Sequence, residues 1–384
     1  MNTKFGLAHK NWLISQFNGT LATTRHELRL LVFTPLSYLF QIGFLISLTS
    51  CVFLIADFYS TDEVSLRLQI IFLPWIGLIL VPALAMRSWP DENSDRSFEL
   101  ITTLPVNTGA VVMGKFLSGY LILLITLFCT LPMVGTLFFL GKPDVGILVS
   151  SYLGSALTLG LFYSISLLAS ALTREPISAF VLSLVTLFIL MLLGWDVFSR
   201  LLDGNFSANF INIMTFLSPY TWLLRMSQGV IEFGGIFYFF SIIFGALWAT
   251  KIAVEIRYLG SISVRTCFRG IIKLAVVAVV FAISMTLLSS LPFSLDMTES
   301  GEFTLHEGTI KIVKRLPEKT VVTLHWSESE TSIPSNIKSH ARRIRNLLQN
   351  MSAISDKKLV FQEIDPKPDT NKEIESLVSG IQKI

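Results

Sequence analysis

The sequence predicts an all-α polytopic membrane bundle, a six-helix core plus a seventh span, followed by a C-terminal α/β extracytoplasmic domain. Three observations predict it. Hydrophobic residues make up 52% of the 384 and charged ones only 15%, where a soluble domain carries roughly 25%. Mean hydropathy is +0.63, and the apolar surplus lies in residues 1–291 while the remainder is ordinary in composition. Seven apolar stretches each approach the about 20 residues that a helix needs to cross a hydrocarbon core.

Those stretches are 36–57, 68–86, 117–140, 146–172, 177–195, 234–250 and 274–291. They divide the chain into a cytoplasmic interfacial helix (1–35), a six-span membrane domain (36–256), a basic linker with the seventh span (257–291) and the extracytoplasmic domain (292–384). The start, MNTKFGLAHKNWL, has no cleavable apolar region, so the first span is expected to stay in the mature protein. With the N-terminus inside, the cytoplasmic segments carry Lys4, Lys10, Arg25, Arg29, Arg87, Arg96, Lys115, Arg174, Lys251, Arg257, Arg265, Arg269 and Lys273. The outer loops carry Arg67, Lys142, Arg200 and Arg225. That asymmetry sets the orientation, with the C-terminal domain outside the bacterial inner membrane.

Thr173-Arg-Glu-Pro176 forms a tight turn that makes spans four and five antiparallel neighbours. The stretch 196–233, with Phe216, Tyr220 and Trp222, reads as an external re-entrant or interfacial segment, either an aromatic belt or a substrate-lining element.

Several function classes drop out. The seven stretches hold no Asp, Glu, Lys, Arg or His in their interiors, and His9, His26, His306, His325 and His340 lie outside them. Ion-coupled carriers bury such groups near the midplane, and intramembrane hydrolysis needs acid–base groups there. Energy for uphill movement must then arrive from another subunit. A net charge of +3 argues against nucleic acid, and Cys51, Cys129 and Cys267 lie too far apart to read as a disulfide framework or metal pair. Gly109-Ala-Val-Val-Met-Gly-Lys115 spells the skeleton of a phosphate loop, but Phe116 replaces its Ser or Thr and no strand precedes it. Lys115 is expected to snorkel at the cytoplasmic end of span three.

The stretch after span two reads Met86-Arg-Ser-Trp-Pro-Asp-Glu-Asn-Ser-Asp-Arg-Ser-Phe-Glu-Leu-Ile-Thr-Thr-Leu-Pro-Val106. Residues 94–103 suit a short amphipathic helix capped by Ser94 or Asp95, with Phe98, Ile101 and Leu104 on one face and Pro105 at its end. An apolar face rimmed by Glu92, Asp95, Glu99, Arg87 and Arg96 suits docking on a partner; resting on lipid headgroups is the plainer alternative. Upstream, Thr24-Arg-His-Glu27 has the form of a capping box opening an interfacial helix with Arg29.

This loop resembles the signature of ABC-2 type permeases, most closely their gliding-motility branch. Glu27-Leu-Arg with Phe33-Thr-Pro-Leu-Ser-Tyr38, Gly114-Lys-Phe116, Ser151-Tyr-Leu-Gly154 and Ala169-Ser-Ala-Leu-Thr173 extend the likeness in order. Arg96-Ser97 stands where that family shows Gly-Thr, and Pro90-Asp91 where Ala-Glu is common. The resemblance implies a permease subunit that couples ATP hydrolysis on a separate ATPase, which would hold ATP and Mg, to export. It also implies a homodimer in the lipid bilayer, and a coupling loop of Arg87, Asp91, Glu92, Asp95, Arg96, Phe98, Glu99 and Leu100. No catalytic, cofactor or metal residue is expected in this chain. The alternative is a membrane scaffold of an ATP-driven motility or envelope machine that moves no solute.

The C-terminal domain reads as a helix from Thr304 to about 316, a strand over 320–326, a helix over 335–350, a strand over 358–364 and a helix over 370–380. So short a sheet implies a longer product or a completing extracytoplasmic partner. Lys338, Arg342, Arg343 and Arg345 form a basic cluster that reads as a solvated helix face, with a site for nucleic acid or another anionic polymer as the alternative. Asp296 to Gly308 and Phe361-Gln-Glu-Ile-Asp-Pro366 resemble the auxiliary subunit of gliding-type permeases, so the chain looks like a permease fused to the start of that subunit.

Reversing charge at Glu92 and Glu99 together is expected to abolish stimulation of the partner ATPase while leaving the helical content of the purified protein unchanged. Unaltered stimulation would remove this loop from the coupling path.

Overall fold

The computed structural model describes residues 2–55, 67–91, 107–195, 214–258, 294–299, 307–316 and 320–326, then Ala341, Ile344, Arg345, Leu347, Leu348, Met351, Ser352, Ser355 and 358–364. Two units are present: Met1–Ser199 with Asp203–Met297, and Arg200–Leu202 with Thr298–Ile384.

The first unit is a helical bundle. α1 (Asn2–Phe33) runs unbroken for 32 residues. Pro35, which lacks an N–H, opens α2 (Pro35–Ser50) after an extended Thr34. α2 then widens into a π-turn at Cys51–Ile55. α3 (Arg67–Ala85) keeps Pro74 and Pro82 inside its apolar run. At α4 (Thr108–Phe128) the Asn107 side chain accepts from Gly109 N at 3.1 Å. A break at Cys129 and Thr130 separates α4 from α5 (Leu131–Leu140). Asp144 opens α6 (Val145–Leu172) by accepting from Gly146 N at 2.8 Å and Ile147 N at 3.1 Å. α7 (Pro176–Leu192) follows the tight turn and packs beside α6. The short α8 (Pro219–Met226) and β1 (Val230–Glu232) lead into α9 (Phe233–Tyr258).

α6 is the axis. It packs against α3, α4, α7, α8 and α9 and is rich in small residues, which let transmembrane backbones approach. Its buried hydroxyls bond back to the helix: Ser155 to Ser151 O, Thr158 to Gly154 O and Ser166 to Phe162 O, each at 2.8 Å. Leu39, Ile42 and Ile46 on α2, and Ile177, Val181 and Val185 on α7, are exposed, as lipid-facing stripes require. Among the described residues, Ser37–Leu54, Thr108–Leu140, Val145–Leu172 and Phe233–Ile256 are long and apolar enough to cross a membrane, and Gln69–Ala85 and Pro176–Leu192 are shorter apolar helices.

The expected all-α membrane bundle is therefore present, with shifted boundaries. The third span begins at Thr108, because Asn107 is its cap, and not at 117. The sixth runs on to Tyr258 with Lys251 and Glu255 as an i,i+4 pair at 3.7 Å. The capping box is overturned: α1 passes straight through Thr24, whose hydroxyl donates to Thr20 O at 2.8 Å as a mid-helix threonine does. The seventh span (274–291) lies outside the described residues.

β2 (Ser294–Asp296) pairs antiparallel with β1, Ile231 opposite Leu295. Ser294 thus sits at the start of α9, whereas Tyr258 ends that 26-residue helix, about 39 Å away. Met297 N donates to Gly229 O at 3.0 Å. A β-carbon on Gly146 would overlap the Met297 carbonyl oxygen, so only glycine admits this strap over the start of α6.

The second unit holds α10 (Glu307–Lys314), β3 (Thr320–His325) and β4 (Leu359–Ile364). β3 and β4 pair in parallel from Thr320 opposite Leu359 to His325 opposite Ile364, with helical residues between them in sequence. Parallel pairing requires such a crossover. Arg345 Nε donates to Glu363 Oε1 at 2.7 Å, so this member of the basic cluster is spent on β4. Lys338, Arg342, Arg343 and the helix over 370–380 lie outside the described residues.

Ile231→Cys with Leu295→Cys is expected to give a disulfide in the otherwise native chain. Gly146→Ala should reduce that yield severalfold, read on a non-reducing gel, by displacing Met297.

Candidate functional site

One end of the bundle gathers charge. Lys115, two turns into α4, is 3% exposed, and its Nζ donates to Glu27 Oε1 of α1 at 2.8 Å. The helices meet closely because residue 114 is glycine: a β-carbon there would stand 2.6 Å from Thr23 Cβ. The phosphate-loop skeleton is thus a helix crossing, with Gly109 and Gly114 both inside α4. The expected snorkelling of Lys115 is overturned, because α1 covers it and supplies a carboxylate.

Lys115 Nζ also lies 5.1 Å from the centre of the Trp89 ring, within cation–π range. Trp89 is 1% exposed and belongs to the turn that ends α3. Ser170 of α6 holds that turn from both sides, its Oγ accepting from Trp89 N at 3.3 Å and donating to Met86 O at 3.3 Å. Tyr163 Oη reaches Lys115 O at 3.5 Å. Glu27 of α1 and Trp89 of the turn after α3 therefore converge on the buried ammonium group of α4, and α6 braces that turn and the backbone of Lys115.

Around this core the expected coupling residues are only partly in view. Arg87 and Asp91 are exposed on the turn beside Trp89. Glu92, Asp95, Arg96, Phe98, Glu99 and Leu100 lie outside the described residues. Thr24 is buried, Glu27 is the partner of Lys115, and Arg29 is exposed. Lys115, Trp89 and Ser170 were not expected at the site. Their signal in the sequence was weak: one lysine eight residues after a capping asparagine, in an otherwise apolar run.

At the opposite end, α8 caps the bundle. It has 8 residues, about 12 Å, too short to cross a membrane. Trp222 Nε1 donates to Phe216 O at 2.9 Å, and Tyr238 Oη donates to Leu217 O at 2.6 Å. Trp222 stacks on Tyr238 with ring centres 6.0 Å apart, and Tyr220 packs edge-on to Trp75 at 6.5 Å. Arg225 lies over Trp222 at 5.2 Å and donates to both Glu232 oxygens at 3.0 and 2.8 Å. Phe216, Tyr220 and Trp222 thus fold back onto the helices. Among the described residues no three His, Cys, Asp or Glu side chains gather to hold a metal ion.

Residues 40–218 match the family described as CcmB protein, and residues 299–384 match a domain of unknown function, DUF7088. No curated protein matches the chain. The first match spans α3 to α7 with Trp89 and Lys115, and leaves out α1 with Glu27. The second starts just past Met297, where the first unit ends. Neither names the gliding-motility branch or its auxiliary subunit.

Removing one partner of a buried ion pair typically costs about 3–5 kcal/mol. Lys115→Met should accordingly lower the melting temperature in detergent well below that of the parent. Adding Glu27→Gln should recover most of the loss. Additive losses in the double variant would show that the two residues are not coupled.

Proposed function

We propose that this chain is the membrane-spanning permease subunit of an ATP-binding-cassette exporter, powered by a separate ATPase at the Glu27 end of the bundle. The match of residues 40–218 to the CcmB protein family supports a multi-pass membrane subunit of this type. The basic residues at that end support its facing the cytoplasm. One observation carries the coupling: Lys115 ties α1, through Glu27, to the Trp89 turn from which residues 92–106 depart. An ATPase that pushes on that loop moves Trp89. Trp89 cannot move without disturbing Lys115 and Ser170, and through them α1, α4 and α6. The ATPase would hold ATP and Mg, and two copies of this chain would engage two ATPase subunits in a homodimer.

A second reading is favoured by the strap. Because β2 is paired to β1, movement of the bundle would pull directly on the chain entering the C-terminal domain. ATP hydrolysis would then work an envelope assembly, through an extracytoplasmic partner of that domain, without exporting a solute.

The experiment is co-purification with the ATPase and reconstitution in vesicles. Arg87→Glu with Asp91→Lys changes only exposed positions, so folding should be preserved while ATPase stimulation falls at least tenfold. Stimulation equal to the parent would refute coupling at this end.

A further inference from the structure

Beneath α8 lies a polar group that the proposed coupling does not use. Gln69, on the first turn of α3, is 1% exposed, and neither its Oε1 nor its Nε2 has a hydrogen-bond partner. A buried amide left unsatisfied loses its hydration without compensation. Among the described residues the indole N–H of Trp89 is the other buried side-chain group without a partner.

Two hydroxyls and an apolar cluster surround it. The amide lies within reach of the Tyr152 hydroxyl of α6. Tyr152 Oη and Thr130 Oγ1 are 2.9 Å apart, and Thr130 Oγ1 donates to Leu127 O at 2.6 Å. Thr130 has then used its proton, so Tyr152 donates to Thr130 and keeps free acceptor capacity. Val52, Ile70, Leu137, Leu148 and Leu223 form the apolar packing here, with Tyr152 against it. Two helix irregularities meet at this level, the π-turn that carries Val52 and the α4–α5 break that carries Thr130. π-turns recur at functional sites.

We infer that Gln69, Tyr152 and Thr130 form a binding site for a neutral hydrogen-bonding group, the hydroxyl or amide of an amphiphilic molecule. Gln69 offers two donors and an acceptor, and Tyr152 offers an acceptor. The three polar groups are all neutral, so they offer a charged head no counter-charge. The apolar walls receive the guest's hydrocarbon. A bilayer lipid hydroxyl and a free amphiphile present the same chemistry.

The test uses the full chain and a diazirine-bearing octanol, with crosslinked residues mapped by mass spectrometry. No ATPase is needed, so the outcome is independent of the exporter reading. Labelling should fall on Met133, Val134 or Tyr152 and be competed by octanol but not by octane. Gln69→Leu should lower it at least fivefold while melting at or above the parent, and Tyr152→Phe should lower it with packing retained. Weaker labelling in phosphatidylglycerol nanodiscs than in phosphatidylcholine ones identifies the lipid hydroxyl as an occupant. Equal labelling in both identifies the free amphiphile. Parental labelling in Gln69→Leu, or competition by octane as good as by octanol, overturns the site.

Discussion

Polar atoms inside a bundle that faces hydrocarbon must find partners within the protein, since lipid offers none. Much of this architecture follows from that demand. Ser155, Thr158 and Ser166 of α6 satisfy themselves against its own carbonyls, which leaves the helix surface smooth and small enough for five neighbours. Trp222 and Tyr238 donate to carbonyls of the segment that caps the bundle. Lys115 cannot be satisfied locally, so it recruits Glu27 from α1 and thereby brings the N-terminal helix onto α4. The pair need not add stability over an apolar contact of equal size, because desolvation consumes most of the Coulomb gain. What it supplies is a fixed register between two helices distant in sequence.

The two ends of the bundle use the same chemistry to different effect. Arg225 and Glu232 are more than a third and about a third exposed, where an ion pair is worth about 0–1 kcal/mol. The guanidinium contributes chiefly by covering Trp222 and Phe216. Lys115 and Glu27 are shielded from solvent, so the loss of either is felt across the junction. A perturbation at the Trp89 end therefore has structural consequences that a comparable one at Arg225 lacks.

Helix existence was legible because twenty-residue apolar runs have few other solutions in a chain this poor in charge. Spans two, four and five agree with α3, α6 and α7 almost residue for residue, since Arg67, Asp144 and Pro176 mark their starts. Boundaries failed where a cap outside the apolar run set the start: Asn107 drew α4 back past Lys115. Thr24 and Glu27 misled because their spacing is that of a capping box, yet α1 continues on both sides of them. The charged site was half legible. Arg87 and Asp91 follow from the loop's composition, whereas the Lys115–Glu27 pair joins residues 88 apart in sequence, and no local pattern announces it. Gln69 was silent for the opposite reason, since an amide at the start of an apolar run looks like an ordinary boundary residue.

The joint at Thr34 and Pro35 has one more implication. α1 is covalently continuous with α2, yet it packs far more extensively on α4, and the proline interrupts the backbone hydrogen-bond ladder between the first two helices. Mechanical allegiance and chain order therefore part company. The leading helix is tied to the third membrane-crossing element through Glu27 and Lys115, while the first crossing joins it across a break in the ladder. Force applied to the amino-terminal helix would bypass its immediate successor and arrive first in the middle of the bundle.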